Sequence, residues 1–175
     1  MIGGPNSWQT FYWYRGVTSG KWYWEILLNS TPSGTDTQEF NTIGIGDSSV
    51  NTNIGFAPGS DLHGYGYLMD GDPPNTAHSF LLRHGAFSSD LGGPGFGDTS
   101  ILMGAVDMGT GNAWMGANGT WASAGNPGTG ANPLITGLTG TQRPLIGLCS
   151  NFVQANMTMQ SVPSFSVPAG FTYGP

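Results

Sequence analysis

Four carboxylates could take part in acid–base chemistry: Glu25, Asp47, Asp70 and Asp107. Glycoside hydrolysis needs two such groups a fixed distance apart, one protonated to release the leaving group and one ionised as nucleophile or base. A linear sequence does not display such a pair, and turn or strand-end carboxylates that cap main-chain N–H groups are far commoner. The imidazoles are His63, His78 and His84. None of them forms a His-x-x-x-His pair and all lie in polar surroundings, which favours solvated or hydrogen-bonded histidines over metal ligands. Asp70-Gly71-Asp72 has the opening of a calcium loop but no later Glu at the required spacing, so it reads as a turn. The single cysteine, Cys149, sits in the apolar run Pro144 to Cys149 and reads as a buried, inert thiol. No metal and no cofactor is expected.

One carboxylate is conspicuous. Gly20-Lys21-Trp22-Tyr23-Trp24-Glu25-Ile26-Leu27-Leu28 alternates with a period of two, so Trp22, Trp24, Ile26 and Leu28 share one face of a strand and Tyr23, Glu25 and Leu27 the other. Glu25 must then find hydrogen bonds at a strand end or pay heavily for burial. Gly46-Asp47-Ser48 faintly resembles the nucleophile block of GDSL-type hydrolases, but there it opens a helix, and no Asp-x-x-His follows in this sequence.

The elements that would position these groups are strands and turns. The 175 residues include 30 glycines and 12 prolines, so turns should interrupt the apolar runs about every ten residues, and long helices are hard to place. Aromatics at 12% and hydrophobics at 38% supply the core that disordered chains lack. One all-β domain is expected over 20–175, with 1–19 as an N-terminal segment packing on it. Strands are expected from Lys21 to Asn29, Phe40 to Gly46, Tyr65 to Met69 and His78 to Arg83. A hairpin should follow from Ser100 through Asn112 to Ala117, with Asn118-Gly119 turning the chain into Thr120-Trp121.

Charged residues make up 8% of the chain, and four basic residues (Arg15, Lys21, Arg83 and Arg143) against ten acidic ones leave a net charge of −6. No basic stripe exists to neutralise phosphates, so nucleic acid is excluded as a partner. No apolar stretch approaches the roughly 20 residues that span a bilayer, and Met1 to Pro5 has neither the basic nor the apolar region of a signal peptide. Neither membrane insertion nor classical secretion is expected. With so few charges, the surface suits either packing against other subunits or a neutral polar coat.

Five segments in order carry a family resemblance. Gly20 to Glu25 resembles the "GKWYWEV" opening of SPRY (B30.2-like) domains, and Ile43-Gly44-Ile45-Gly46 resembles the strand that comes next. Gly64-Tyr65-Gly66-Tyr67 with Asp70-Gly71, Gly97 to Asp107, and Asn112 to Trp121 resemble the later motifs. The resemblance implies a SPRY-like (concanavalin-like) antiparallel β-sandwich of two curved sheets. Asn118 to Trp121, Gly125-Asn126-Pro127, Leu138-Thr139-Gly140, Arg143-Pro144, Ser150-Asn151-Phe152 and Val167 to Phe171 further resemble SPRY-like domains of bacteriophage virion and tail proteins.

This resemblance implies binding without chemistry: a virion module, decorating a capsid or forming part of a tail fibre, that recognises a protein partner such as another virion subunit or a host surface receptor. The alternatives are a carbohydrate-binding host-adhesion module and, in a different class, a glycan hydrolase. The loops available are Ser30 to Glu39, Ser48 to Gly64, Asp70 to His78, His84 to Phe96 and Ser123 to Asn132. Within them Phe56, His63, Tyr65, His84, Phe87 and Phe96 are the candidate anchors, since aromatics give large contact area at low entropic cost.

Overall fold

The structure, a computed structural model, describes residues 7–13, 15–30, 41–53, 56–70, 78–93, 99–150 and 155–174. The strands are β1 (Ser7–Tyr12), β2 (Lys21–Ser30), β3 (Thr42–Gly46), β4 (Gly64–Asp70), β5 (His78–Arg83), β6 (Ala86–Phe87), β7 (Ile101–Asp107), β8 (Asn112–Ala117), β9 (Thr120–Trp121), β10 (Arg143–Ser150), β11 (Ala155–Met159) and β12 (Thr172–Tyr173). They form two sheets in the orders β1-β10-β3-β4-β5-β6 and β11-β2-β7-β8-β9, with β12 added to β2. All ladders are antiparallel except the short parallel pairing of β12 with β2. This is the expected β-sandwich. No helix among the described residues is long and apolar enough to cross a membrane.

Turn chemistry fixes the registers. Asp107 closes the β7–β8 turn by accepting the N–H of Gly111 on its main-chain oxygen at 2.8 Å and that of Gly109 on Oδ1 at 2.9 Å. Between β8 and β9, Asn118 and Gly119 take φ of 49° and 81°, the paired positive values of a tight hairpin. The Asn118 side chain stays in the structure, its Oδ1 accepting the Ile101 N–H at 2.9 Å.

The two inner faces meet in one core. Trp24, Ile26, Leu28, Leu102, Val106 and Met115 from one sheet pack with Ile43, Ile45, Tyr67 and Leu81 from the other. Burial of each large apolar side chain contributes about 1.5–3 kcal/mol. The tryptophan face of β2 is therefore core, as its alternation indicates.

Each outer face is covered as well. On the β2 sheet the segment 160–174 lies over Tyr23, Met103, Ala105 and Trp114, with Phe165, Val167, Phe171 and Tyr173 against them. Tyr23 and Glu25 are fully buried in mid-strand, so Glu25 finds its hydrogen bonds away from a strand end. Glu25 escapes the cost of burial because its oxygens accept the Ser164 N–H at 2.6 Å, the Phe165 N–H at 2.9 Å and the Tyr23 hydroxyl.

On the other sheet residues 47–53 and 56–63 form the cover, and residues 56–60 cross the strands as a strap. Thr10 Oγ1 of β1 donates to the Phe56 carbonyl at 2.7 Å, and the Gly59 carbonyl accepts the N–H of Gly85, in the β5–β6 turn, at 2.9 Å. Pro58 lies between these ends, directly on backbone. A Cβ at Gly147 of β10 would stand 2.4 Å from Pro58 Cδ, and one at Gly66 of β4 would stand 2.2 Å from its carbonyl oxygen. These strands carry glycine where the strap crosses, and Ala57, Leu68 and Leu82 close the layer beside it.

Candidate interaction surface

The strap is anchored at its return by carboxylates. Asp61 accepts the N–H of Asn51 at 2.6 Å and that of His63 at 2.8 Å, while Asp47 accepts the Ser49 N–H at 2.7 Å and faces His63 Nδ1 at 3.1 Å. Burial alone would raise the Asp47 carboxyl. The hydrogen bonds from Ser49 and His63, with the His63 charge, outweigh it and hold the group below the usual carboxylate range.

Around this return lies an apolar edge. Leu62 is 73% exposed, and Tyr65 at the start of β4 places its ring 5.9 Å from that of His84. His84 and Gly85 adopt φ of 53° and 75°, the turn that joins β5 to β6. Phe87 is 61% exposed and packs edge-on against Phe80 at 6.4 Å, on the face that carries the strap. Phe87 was expected in a loop and belongs to the short edge strand β6.

Of the expected anchors, Tyr65 and His84 meet at the start of β4 near His63 and the strap return, whereas Phe87 stands on the strap face of β6, the face opposite to Tyr65. Phe56, 39% exposed, lies at the opposite end of the strap beside β1. Phe96 lies outside the described residues, as do much of the loops Ser30 to Glu39 and Asp70 to His78. The loop Ser123 to Asn132 is held separately: Trp114 Nε1 donates to the Ala131 carbonyl at 2.8 Å, and Asn132 Nδ2 to that of Ala124 at 3.1 Å.

The residues that sequence reasoning missed are Phe11, Tyr12 and Trp13, exposed by 45%, 46% and 39%. Their signal was present: Phe11 and Tyr12 are successive residues of a strand and cannot both face one core, because side chains alternate, and Trp13 follows them beyond its end. Among the tryptophans, Trp24 and Trp114 are buried, whereas Trp13 is not.

The described carboxylates are structural in their contacts. Glu25 is sealed from solvent by its three donors. Asp107 pairs with Lys21 Nζ at 3.1 Å and caps its turn. Asp90 accepts from Ser79 and Gly92 N–H groups at 3.3 and 2.9 Å. Ser48 follows Asp47 into a turn rather than a helix. Among the described residues no three His, Cys, Asp or Glu side chains come together as a metal site.

No family model matches the sequence, and no curated protein is similar enough to match it. Among solved structures, the crystal structure of the SPRY domain of human HERC1 is similar with a TM-score of 0.61 at 14% identity, over 89% of this chain and 83% of that one. The fold is therefore SPRY-like, as the ordered motifs implied.

Proposed function

We propose that the chain is a non-enzymatic recognition module that docks on a protein partner through the strap return and the β4–β6 edge. The observation that carries this reading is the exposure of Leu62 and Phe87 at 73% and 61% on a scaffold whose strap, turns and carboxylates are otherwise committed to holding its shape. Large apolar groups presented on a rigid scaffold bind with little ordering cost. The SPRY-like fold agrees with such a role without fixing it, because function resides in sites rather than folds.

The finer assignment is to a bacteriophage particle, as a capsid decoration or a tail component, with another virion subunit or a host receptor as partner. It is supported by the motif set from Asn118 to Phe171 and by a surface with only 8% charged residues. A glycan array read for both retention and release of reducing ends tests the class. The reading predicts neither. Retention abolished by Phe87→Ser moves the assignment to a carbohydrate-binding adhesin, and release of reducing ends overturns the non-enzymatic reading.

A further inference from the structure

We infer that Asp47 and His63 form a pH-sensitive latch, which closes the base of the strap more tightly in weakly acidic than in weakly alkaline solution. The two residues stand where β3 ends and β4 begins. Asp47 N–H donates to the His63 carbonyl at 2.9 Å, and His63 Nδ1 lies 3.1 Å from Asp47 Oδ2. A Cβ at the adjoining Gly46 would stand 2.6 Å from that same carbonyl, so the two chains meet here with no room between them. Histidine is the side chain that changes charge between about pH 5 and 8. A neutral imidazole with its proton on Nδ1 already donates to the carboxylate. A second proton, on Nε2, makes that hydrogen bond charge-assisted on both sides and stronger. Asp47 stays ionised throughout, because its contacts with Ser49 and His63 hold its carboxyl below the usual range.

The other fastenings of the strap are of a different kind. Thr10 Oγ1 on the Phe56 carbonyl and Gly85 N–H on the Gly59 carbonyl join neutral groups, and Asp61 holds the N–H groups of Asn51 and His63 without an imidazole. On the adjoining elements, His84 rests against the Tyr65 ring at 5.9 Å and Arg83 is the register partner of Tyr65. Arg143 is the register partner of Gly46 and places its guanidinium 5.4 Å over the Tyr12 ring. His84 is therefore the second imidazole at this end and the natural control. Leu62, 73% exposed, is carried between Asp61 and His63, both of them tied, so acidification stiffens the turn that presents it. That consequence rests on the docking role proposed above, and the latch itself does not.

The test is amide hydrogen exchange of the intact chain on either side of the histidine range, at about pH 5.5 and about pH 7.5. Rates are expressed as protection factors, so that the intrinsic pH dependence of exchange cancels. Protection of amides 47–51 and 61–63 should be about two- to fivefold higher at the lower pH, the size that an exposed ion pair allows, with the amides of β7 and β8 unchanged. His63→Gln and Asp47→Asn should each abolish the difference, whereas His84→Gln and Leu62→Ser should keep it. Two independent variants on the latch guard against one that merely fails to fold. Equal protection at the two pH values, lower protection in acid, a difference that survives His63→Gln, or one that extends to β7 and β8 would each overturn the latch. Because Leu62→Ser removes the proposed docking group and leaves the latch intact, the two readings fail separately.

Discussion

The main-chain N–H of Ser164 donates to the Glu25 carboxylate at 2.6 Å, joining positions 139 residues apart in the chain. With Phe165 N–H on the other oxygen and Tyr23 beside it, this carboxylate fastens the C-terminal segment to the outer face of the β2 sheet. It is the residue that most invites a catalytic reading, and its contacts make it a structural tie.

Glu25→Gln keeps the shape but sets an amide donor against one of three donors already in place. Leaving buried polar groups mismatched costs about 1–3 kcal/mol. Urea unfolding should show a lower midpoint with an unchanged slope, and hydrogen exchange of 161–173 should accelerate most. An unchanged midpoint would remove the tie from the account.

The segment also sets an alkaline limit. Tyr23 is held protonated well above the usual tyrosine range by burial and by its bond to Glu25, and burial pushes Tyr67 and Tyr173 up to about 12. Because these folded-state values lie above the unfolded value of about 10, their stabilisation is complete below that pH and is lost as pH rises through them. Spectrophotometric titration should therefore show three of the six tyrosines ionising only as the chain unfolds.

At the acid end the sign reverses. Burial would raise Asp107, but hydrogen bonds from Lys21 and Gly109 and the Lys21 charge hold it below the usual range, so its contribution is present above about pH 4 and lost as pH falls further. Asp107→Asn should flatten the acid limb of stability while costing less than about 1 kcal/mol at neutral pH, since Lys21 is largely solvated. A steeper acid limb in the variant would contradict this.

The strap is tested by Gly66→Ala, whose new Cβ would stand 2.2 Å from the Pro58 carbonyl oxygen. Overpacking of this kind costs about 1–3 kcal/mol. A lowered thermal midpoint with faster exchange across 56–60 is expected, against no change if the strap lies elsewhere.

Much of this was legible in the sequence, for identifiable reasons. The period of two over Trp22 to Leu28 placed the core face, and Asn118-Gly119 placed its hairpin, because both signals are local. The burial of Tyr23 and Glu25 was not legible: it depends on a segment 139 residues away from Glu25, and no local pattern announces such a cover. The strap was likewise visible only as a loop, since its glycine partners lie on separate strands. Among the candidate anchors, aromatic type selected Phe56, Tyr65, His84 and Phe87 alike, and only topology separates Phe56 from the other three.

The most direct measurement is a cryo-electron microscopy structure of phage particles from cells producing the chain. The account predicts density for this sandwich on the particle, with Leu62, Tyr65, His84 and Phe87 buried against a neighbouring protein subunit. Particles lacking the chain, or carrying it with that edge facing solvent and no receptor bound there, would contradict it.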